Sequence, residues 1–195
     1  MKIRVYRMLK QTKMAGPGNR FCLWVQGCSR HCRGCMATET WTHHGGRLIN
    51  TAELFKLICA APHIEGVTFL GGEPFEQPSA LAELAANIKS QGLSLTVFTG
   101  FTYEELRAAN NAEYHNLLGY TDLLIDGAFV QAQFDLSRPW VGSKNQQYRF
   151  LTNRYSKADI SNIKNQIEVR IATNGTVLVN GMGDFSQIKT LLQEN

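Results

Sequence analysis

Val67-Thr68-Phe69-Leu70-Gly71-Gly72-Glu73-Pro74 sets four residues of β-branched or large apolar type directly before two glycines and a proline. Such a run reads as a short buried strand, and the glycines end it. The flanking segments read as helices. Upstream, Asn50–Ala61 places Asn50 at a cap and Glu53 at the capping-box position, with Leu54, Leu57, Ile58 and Ala61 on one face. Downstream, Pro78–Gln91 carries Leu81, Leu84 and Ile88 on one side and stops at Gly92.

The alternation continues. Leu93–Phe98 reads as a strand ending at Thr99-Gly100, and Thr102 with Glu105 forms a capping box that starts a helix at Tyr103. Thr121–Ile125 reads as a further strand ending at Asp126-Gly127, and Phe21–Gln26 as a short apolar one. Strands alternating with helical crossovers give an α/β fold with parallel strands. Towards the C-terminus, Val169 and Ile171, then Val177 and Val179, alternate around Asn174-Gly175, which predicts a β-hairpin. A last helix is expected after Asp184, with Ile188, Leu191 and Leu192 inward. Asn153–Asn165 reads as a polar surface connection, and residues 1–195 as one domain.

Composition sets the outer bounds. The chain has 195 residues and 44% hydrophobic content, enough for one domain with a buried core. It shows no internal repeat and no apolar run of membrane-spanning length. Met1–Met14 mixes Lys2, Arg4, Arg7, Lys10 and Lys13 with apolar residues, so it lacks the apolar region of a signal peptide, and a cytoplasmic setting is expected. The net charge of +4 is modest, and these basic residues read as a solvated strand edge in preference to a surface for nucleic acid.

There are five cysteines, an odd number, and Cys28, Cys32 and Cys35 lie within eight residues. That pattern points to a metal site and away from a disulfide framework. Cys22 and Cys59 sit in apolar stretches and read as small buried hydrophobes. The C-x3-C-x2-C spacing lets one loop present three thiolates to three irons of a cubane and leave a fourth iron for an outside ligand. Thiolates suit zinc equally well, and His31, His43 and His44 are the candidates for a fourth zinc ligand. Gly71-Gly72 at a strand's C-terminal end permits close approach of a ligand to the backbone.

Several stretches together resemble the radical S-adenosylmethionine superfamily, and within it the activating enzymes of glycyl radical enzymes of the anaerobic ribonucleotide reductase type. They are Gly16-Pro17-Gly18-Asn19-Arg20, Trp24-Val25-Gln26-Gly27-Cys28, Cys32-Arg33-Gly34-Cys35 and Gly71-Gly72-Glu73-Pro74-Phe75. Further stretches are Thr99–Leu106, Asp122–Gly127 and Gly142–Gln146. Gly34, where much of the superfamily carries an aromatic residue, is shared by the ribonucleotide reductase activases. Met36-Ala37 departs from the pattern, since an aromatic residue or His followed by Asn is common there.

The resemblance implies a partial (β/α) barrel of the radical S-adenosylmethionine type, carrying a C-terminal hairpin and helix. It implies a [4Fe-4S] cluster on Cys28, Cys32 and Cys35, with S-adenosylmethionine on the open iron. Gly71, Gly72 and Glu73 would face the methionine amino group, and Gly34 and Met36 the adenine. Thr99 and Asp126, at strand C-termini, would touch the ribose or methionyl part, or else serve as turn residues. Trp24 and Trp41 would shield the cluster, and His43-His44 would form a polar turn. The implied partners are a glycyl radical enzyme and a flavodoxin or ferredoxin as electron donor. Two other readings remain at this point: a radical enzyme acting directly on a peptide or metabolite, and a non-enzymatic iron–sulfur carrier or zinc-binding module.

Overall fold

The structure is a computed structural model and describes residues 1–183. The helix expected after Asp184 lies outside the described residues. Strands β1 (Lys2–Thr12), β2 (Arg20–Val25), β3 (Arg47–Asn50), β4 (Gly66–Gly71), β5 (Ser94–Phe98), β6 (Leu123–Asp126) and β7 (Gln147–Phe150) build a seven-stranded sheet in the order β3-β1-β2-β4-β5-β6-β7. The central strands β2, β4, β5 and β6 run parallel, and β1, β3 and β7 pair antiparallel on the two sides. The expected α/β class and parallel centre are present.

Helix α1 (Thr51–Cys59) leads into β4, α2 (Pro78–Ser90) joins β4 to β5, and α3 (Tyr103–Ala108) with α4 (Ala112–Tyr120) joins β5 to β6. Alternation along the strands sends Leu23, Val25, Val67, Phe69, Leu95 and Val97 to the helical side. There they meet Leu54, Ile58, Leu81, Leu84, Ile88, Leu106 and Leu117 in one core. Each such side chain contributes roughly 1.5–3 kcal/mol on burial. The other face of the sheet buries Cys22 and Trp24 with Leu9 and Ala15, and Leu123 and Ile125 with Trp140, Val141 and Ile160. The expected hairpin is formed by β8 (Ile167–Ile171) and β9 (Val177–Gly181), and its Leu178 packs against the Cys22–Trp24 group.

Arg20 opens β2 and is fully buried. Its Nε donates to Thr68 Oγ1 (2.7 Å), and Nη1 donates to Pro17 O (3.0 Å), Ser94 Oγ (2.9 Å) and Tyr155 Oη (3.1 Å). Nη2 donates to the carbonyls of Val67 and Ser94. Arg20, Gly66 and Ser94 are register partners at the starts of three parallel strands. A Cβ on Gly66 would stand 2.6 Å from Arg20 Nη1, so the glycine makes room for the guanidinium. The cation sits among carbonyl and hydroxyl oxygens, at the end of the strands opposite the cysteines.

Four expectations need correction. The basic N-terminal segment is no sheet edge: β1 lies between β2 and β3, and β3 is the edge. Asn50 is the N-cap of α1 but its side chain makes no cap hydrogen bond. Thr51 Oγ1 instead donates to Glu83 Oε1 (2.7 Å) and receives the N-terminal ammonium (3.1 Å). Cys59 is exposed, because it falls on the outer face of the last turn of α1, next to the buried Ile58. Residues 153–165 are more than a surface connection. They include the short helix α5 (Lys157–Ile160), the buried Ile160, and Tyr155, which bonds to Arg20 and to Ser94 Oγ (2.6 Å).

Candidate metal centre

The cysteine loop leaves β2 at its C-terminal end and returns on itself. Gly27 N donates to Thr40 O (2.7 Å) and Cys28 N to Trp41 O (3.1 Å). Gln26 Nε2 adds bonds to Glu39 O (3.0 Å) and Thr42 O (2.7 Å). These bonds close a neck, from which residues 28–40 project as a loop. Left-handed backbone at His31 (φ 44°) and Gly34 (φ 79°) turns it.

The neck is seated on the exit of β4. Gly72 N donates to Val25 O (2.9 Å) and Glu73 N to Gly27 O (2.8 Å). A Cβ on Gly72 would stand 2.2 Å from Gly27 O, and one on Gly71 would stand 2.7 Å from Trp24 Cβ. Gly71 therefore admits the end of β2 and Gly72 the backbone at the neck of the cysteine loop. The sequence had suggested a ligand's approach as the reason for the glycines.

Glu73 is buried beneath this contact, at 1% exposure. Its carboxylate accepts from Phe75 N (3.0 Å), Thr99 Oγ1 (2.8 Å) and Gly100 N (2.8 Å). The side chain thus ties the exit of β4 to that of β5. Burial pushes its carboxyl up to about 7, although those three hydrogen bonds and the charge of Arg30 pull it down. The rim continues to β6: Thr99 N donates to Ile125 O (3.0 Å), Gly127 N to Phe101 O (2.8 Å), and Tyr103 N to Asp126 Oδ2 (2.7 Å). Asp126 also pairs with Arg149 (3.3 Å). Of the residues singled out from sequence, Gly71, Gly72, Glu73, Thr99 and Asp126 all lie on this rim. Glu73 and Thr99 touch directly.

Gly34 lies across from the segment after β6, where a Cβ would meet Gln131 Cδ at 3.0 Å and Phe129 Cε1 at 3.2 Å. Met36 is 73% exposed. Trp24 is buried under Gly71, and Trp41 stacks on His31 with ring centroids 4.6 Å apart. Sequence reasoning missed Arg30 and Glu76. Glu76 Oε1 accepts from Ser29 N (2.7 Å) and Oε2 pairs with His43 Nε2 (2.7 Å). Neither residue carries a local motif that marks it.

The three thiols are free, part-exposed and on one loop. Ala37 N donates to Cys35 Sγ (3.4 Å). Donors aimed at sulfur suit thiolate ligands of an iron–sulfur cluster. Of the three candidates for a fourth zinc ligand, His31 is stacked on Trp41 and His43 is held by Glu76, and among the described residues neither these nor His44 joins the cysteines in a group placed around one metal ion. The donor set fits a cluster that takes three protein ligands.

Glu73→Gln is expected to destabilise the protein by about 1–3 kcal/mol, because an amide NH2 would face Gly100 N or Phe75 N in place of an acceptor. It should also change the response to pH. With a native value near 7 and an ordinary value of 4.5, the folded state binds more protons than the unfolded chain between those limits. Glu73 then contributes stability that is full below pH 4.5 and lost as pH rises through 7. Thermal unfolding from pH 4.5 to 7.5 should show a flatter profile for Glu73→Gln, and parallel profiles would contradict this account.

Residues 14–149 match the family model described as a 4Fe-4S single cluster domain. The anaerobic ribonucleoside-triphosphate reductase-activating protein of Vibrio cholerae is 33% identical over 139 residues, covering 67% of this chain and 87% of that protein. The protein of the same name from Pasteurella multocida is 36% identical over 145 residues, covering 69% and 90%. Among solved structures, QueE from Escherichia coli aligns with a TM-score of 0.44 and 21% identity over 52% of this chain and 54% of that one. With a three-thiol loop on the exits of parallel strands, the chain belongs to the 4Fe-4S single cluster domain family and to the family of the anaerobic ribonucleoside-triphosphate reductase-activating proteins.

Proposed function

We propose that this protein activates an anaerobic ribonucleotide reductase by abstracting a hydrogen atom from a glycine of that partner. Cys28, Cys32 and Cys35 are the iron ligands in this reading. The observation that carries it is the family match across the whole cysteine loop and strand-exit rim, residues 14–149. When bound, the [4Fe-4S] cluster and S-adenosylmethionine supply one-electron cleavage of the sulfonium to a 5′-deoxyadenosyl radical.

The chain's own part is to hold that chemistry in place. An ammonium only donates, so the methionine amino group would donate here to carbonyl oxygens of the Gly71–Glu73 stretch, while the N–H groups of Gly72 and Glu73 serve Val25 and Gly27. The Glu73 carboxylate is engaged by Thr99, Gly100 and Phe75, and it serves as a clasp between strands. Gly34 and Met36 form the adenine side, and Thr99 and Asp126 support the rim. A partial barrel of one domain, open towards the partner, goes with this reading. So do a reducing, cytoplasmic setting and a flavodoxin or ferredoxin as electron donor. Among the described residues, no helix is long and apolar enough to cross a membrane.

The test is anaerobic incubation of reconstituted protein with S-adenosylmethionine, a reductant and a candidate reductase, followed by electron paramagnetic resonance. A glycyl signal is expected, and it should vanish in Cys28→Ala, Cys32→Ala and Cys35→Ala, each of which should also lose the cluster absorbance. Turnover of a peptide or metabolite with no partner present would favour direct modification instead. A cluster spectrum indifferent to S-adenosylmethionine would remove both enzymatic readings.

A further inference from the structure

The three residues between Cys28 and Cys32 are each fastened to a different part of the fold. Ser29 N donates to Glu76, just past the exit of β4. His31 stacks on Trp41, beyond the loop's neck. Arg30 reaches the turn between β5 and α3, where its Cζ lies 3.9 Å from the Phe101 ring centroid and Nη2 lies 3.2 Å from Glu105 Oε2. A Cβ on Gly100 would stand 3.2 Å from Arg30 Cγ, so the aliphatic stem rests on that glycine.

The Arg30 contact is the best built of the three. Its Glu105 partner is already fixed, since Oε2 accepts Thr102 N (2.6 Å) while Thr102 Oγ1 accepts Glu105 N (3.1 Å) in the capping box of α3. Arg30 therefore docks on a preformed carboxylate and a ring. Its side chain is 25% exposed and that of Glu105 51%, so the stack is partly shielded from water while the pair faces solvent.

We propose that Arg30 is a positioning residue for the cluster. It fastens the Cys28–Cys32 arm to the exit of β5, and its charge offsets that of Glu105 there. The inference rests on the ligand assignment above. Removing Arg30 leaves the Glu105 carboxylate unpaired, and the uncompensated negative charge makes the cluster harder to reduce. Stack and fork together also limit the arm's motion before any iron is bound.

Two measurements test this on the full-length protein. The first is amide hydrogen exchange of residues 28–35 in the cluster-free protein. The second is the cluster's midpoint potential, from an electron paramagnetic resonance titration without S-adenosylmethionine. Arg30→Gln should speed exchange in the arm several-fold and move the potential to a more negative value. Arg30→Lys should keep the potential near that of the unaltered protein while exchange stays fast, because lysine retains the charge and loses the planar fork. A native value of either readout in Arg30→Gln overturns the proposal. Failure of the unaltered protein to bind a cluster would count against the ligand assignment alone, and the exchange measurement would still judge Arg30.

Discussion

Gly72→Ala is expected to strip the protein of its cluster while leaving it folded. The added methyl would stand 2.2 Å from Gly27 O and 2.9 Å from Gly27 C, both backbone atoms that no rotamer change can move aside. Relief comes only by separating the neck of the cysteine loop from the exit of β4. That breaks the bonds from Gly72 N to Val25 O and from Glu73 N to Gly27 O. Two hydrogen bonds of about 1 kcal/mol each predict on the order of a tenfold or greater loss of cluster retention. Gly119→Ala is the control, since a Cβ there meets nothing within 4 Å. Iron and sulfide content after reconstitution decides the matter: a Gly72→Ala protein with a full cluster would show that the loop is seated by something else.

The second large effect lies at the other end of the strands. Arg20→Met should cost on the order of 5 kcal/mol, because it orphans several buried acceptors at roughly 1–3 kcal/mol each. Those acceptors are the carbonyls of Pro17, Val67 and Ser94, with the hydroxyls of Thr68 and Tyr155 losing a partner as well. A loss of that size is comparable with the whole stability of many domains, about 5–15 kcal/mol. For a chain of this length it corresponds to a fall in Tm of roughly 10–20 °C. Arg20→Lys should recover little, since one ammonium cannot reach acceptors arranged around a planar fork. Circular dichroism melts provide the measurement, and a Tm within a few degrees of the unaltered protein would refute the assigned role.

These two residues also show where the sequence is readable. The Thr102–Glu105 capping box is local and present as expected, and so is the hairpin around Asn174-Gly175, although its turn, closed by Ala172 N to Thr176 O (2.9 Å), is longer than the two-residue loop that dipeptide suggests. So is the strand Gly66–Gly71, whose apolar run ends at its glycines. Strand β1 is harder to read because its register shifts between Val5 and Arg7 and again between Leu9 and Thr12, which breaks the two-residue alternation. Strand β7 does alternate, with Tyr148 and Phe150 packed against the Leu123–Ile125 group, but a run of four half-buried or exposed residues is too short to stand out. The role of Arg20 is illegible for another reason: its acceptors come from four segments far apart in sequence. Glu73 could be picked out beside its glycines. Its inward turn towards Thr99 could not, because nothing local opposes a carboxylate facing solvent or ligand.

The fastening of the Cys28–Cys32 arm has a consequence for how the protein is made. Arg30 and Glu105 are 75 positions apart, and Ser29 and Glu76 are 47 apart. At about 5–20 residues per second, the ribosome delivers Glu105 roughly 4–15 s after Arg30. During that interval the three thiols lie on an arm that still lacks its Arg30 fastening, and for the first 47 residues its Ser29 fastening as well. Iron delivery is thus best timed to follow synthesis of the first half of the chain, and oxygen met before then finds the cysteines at their least protected.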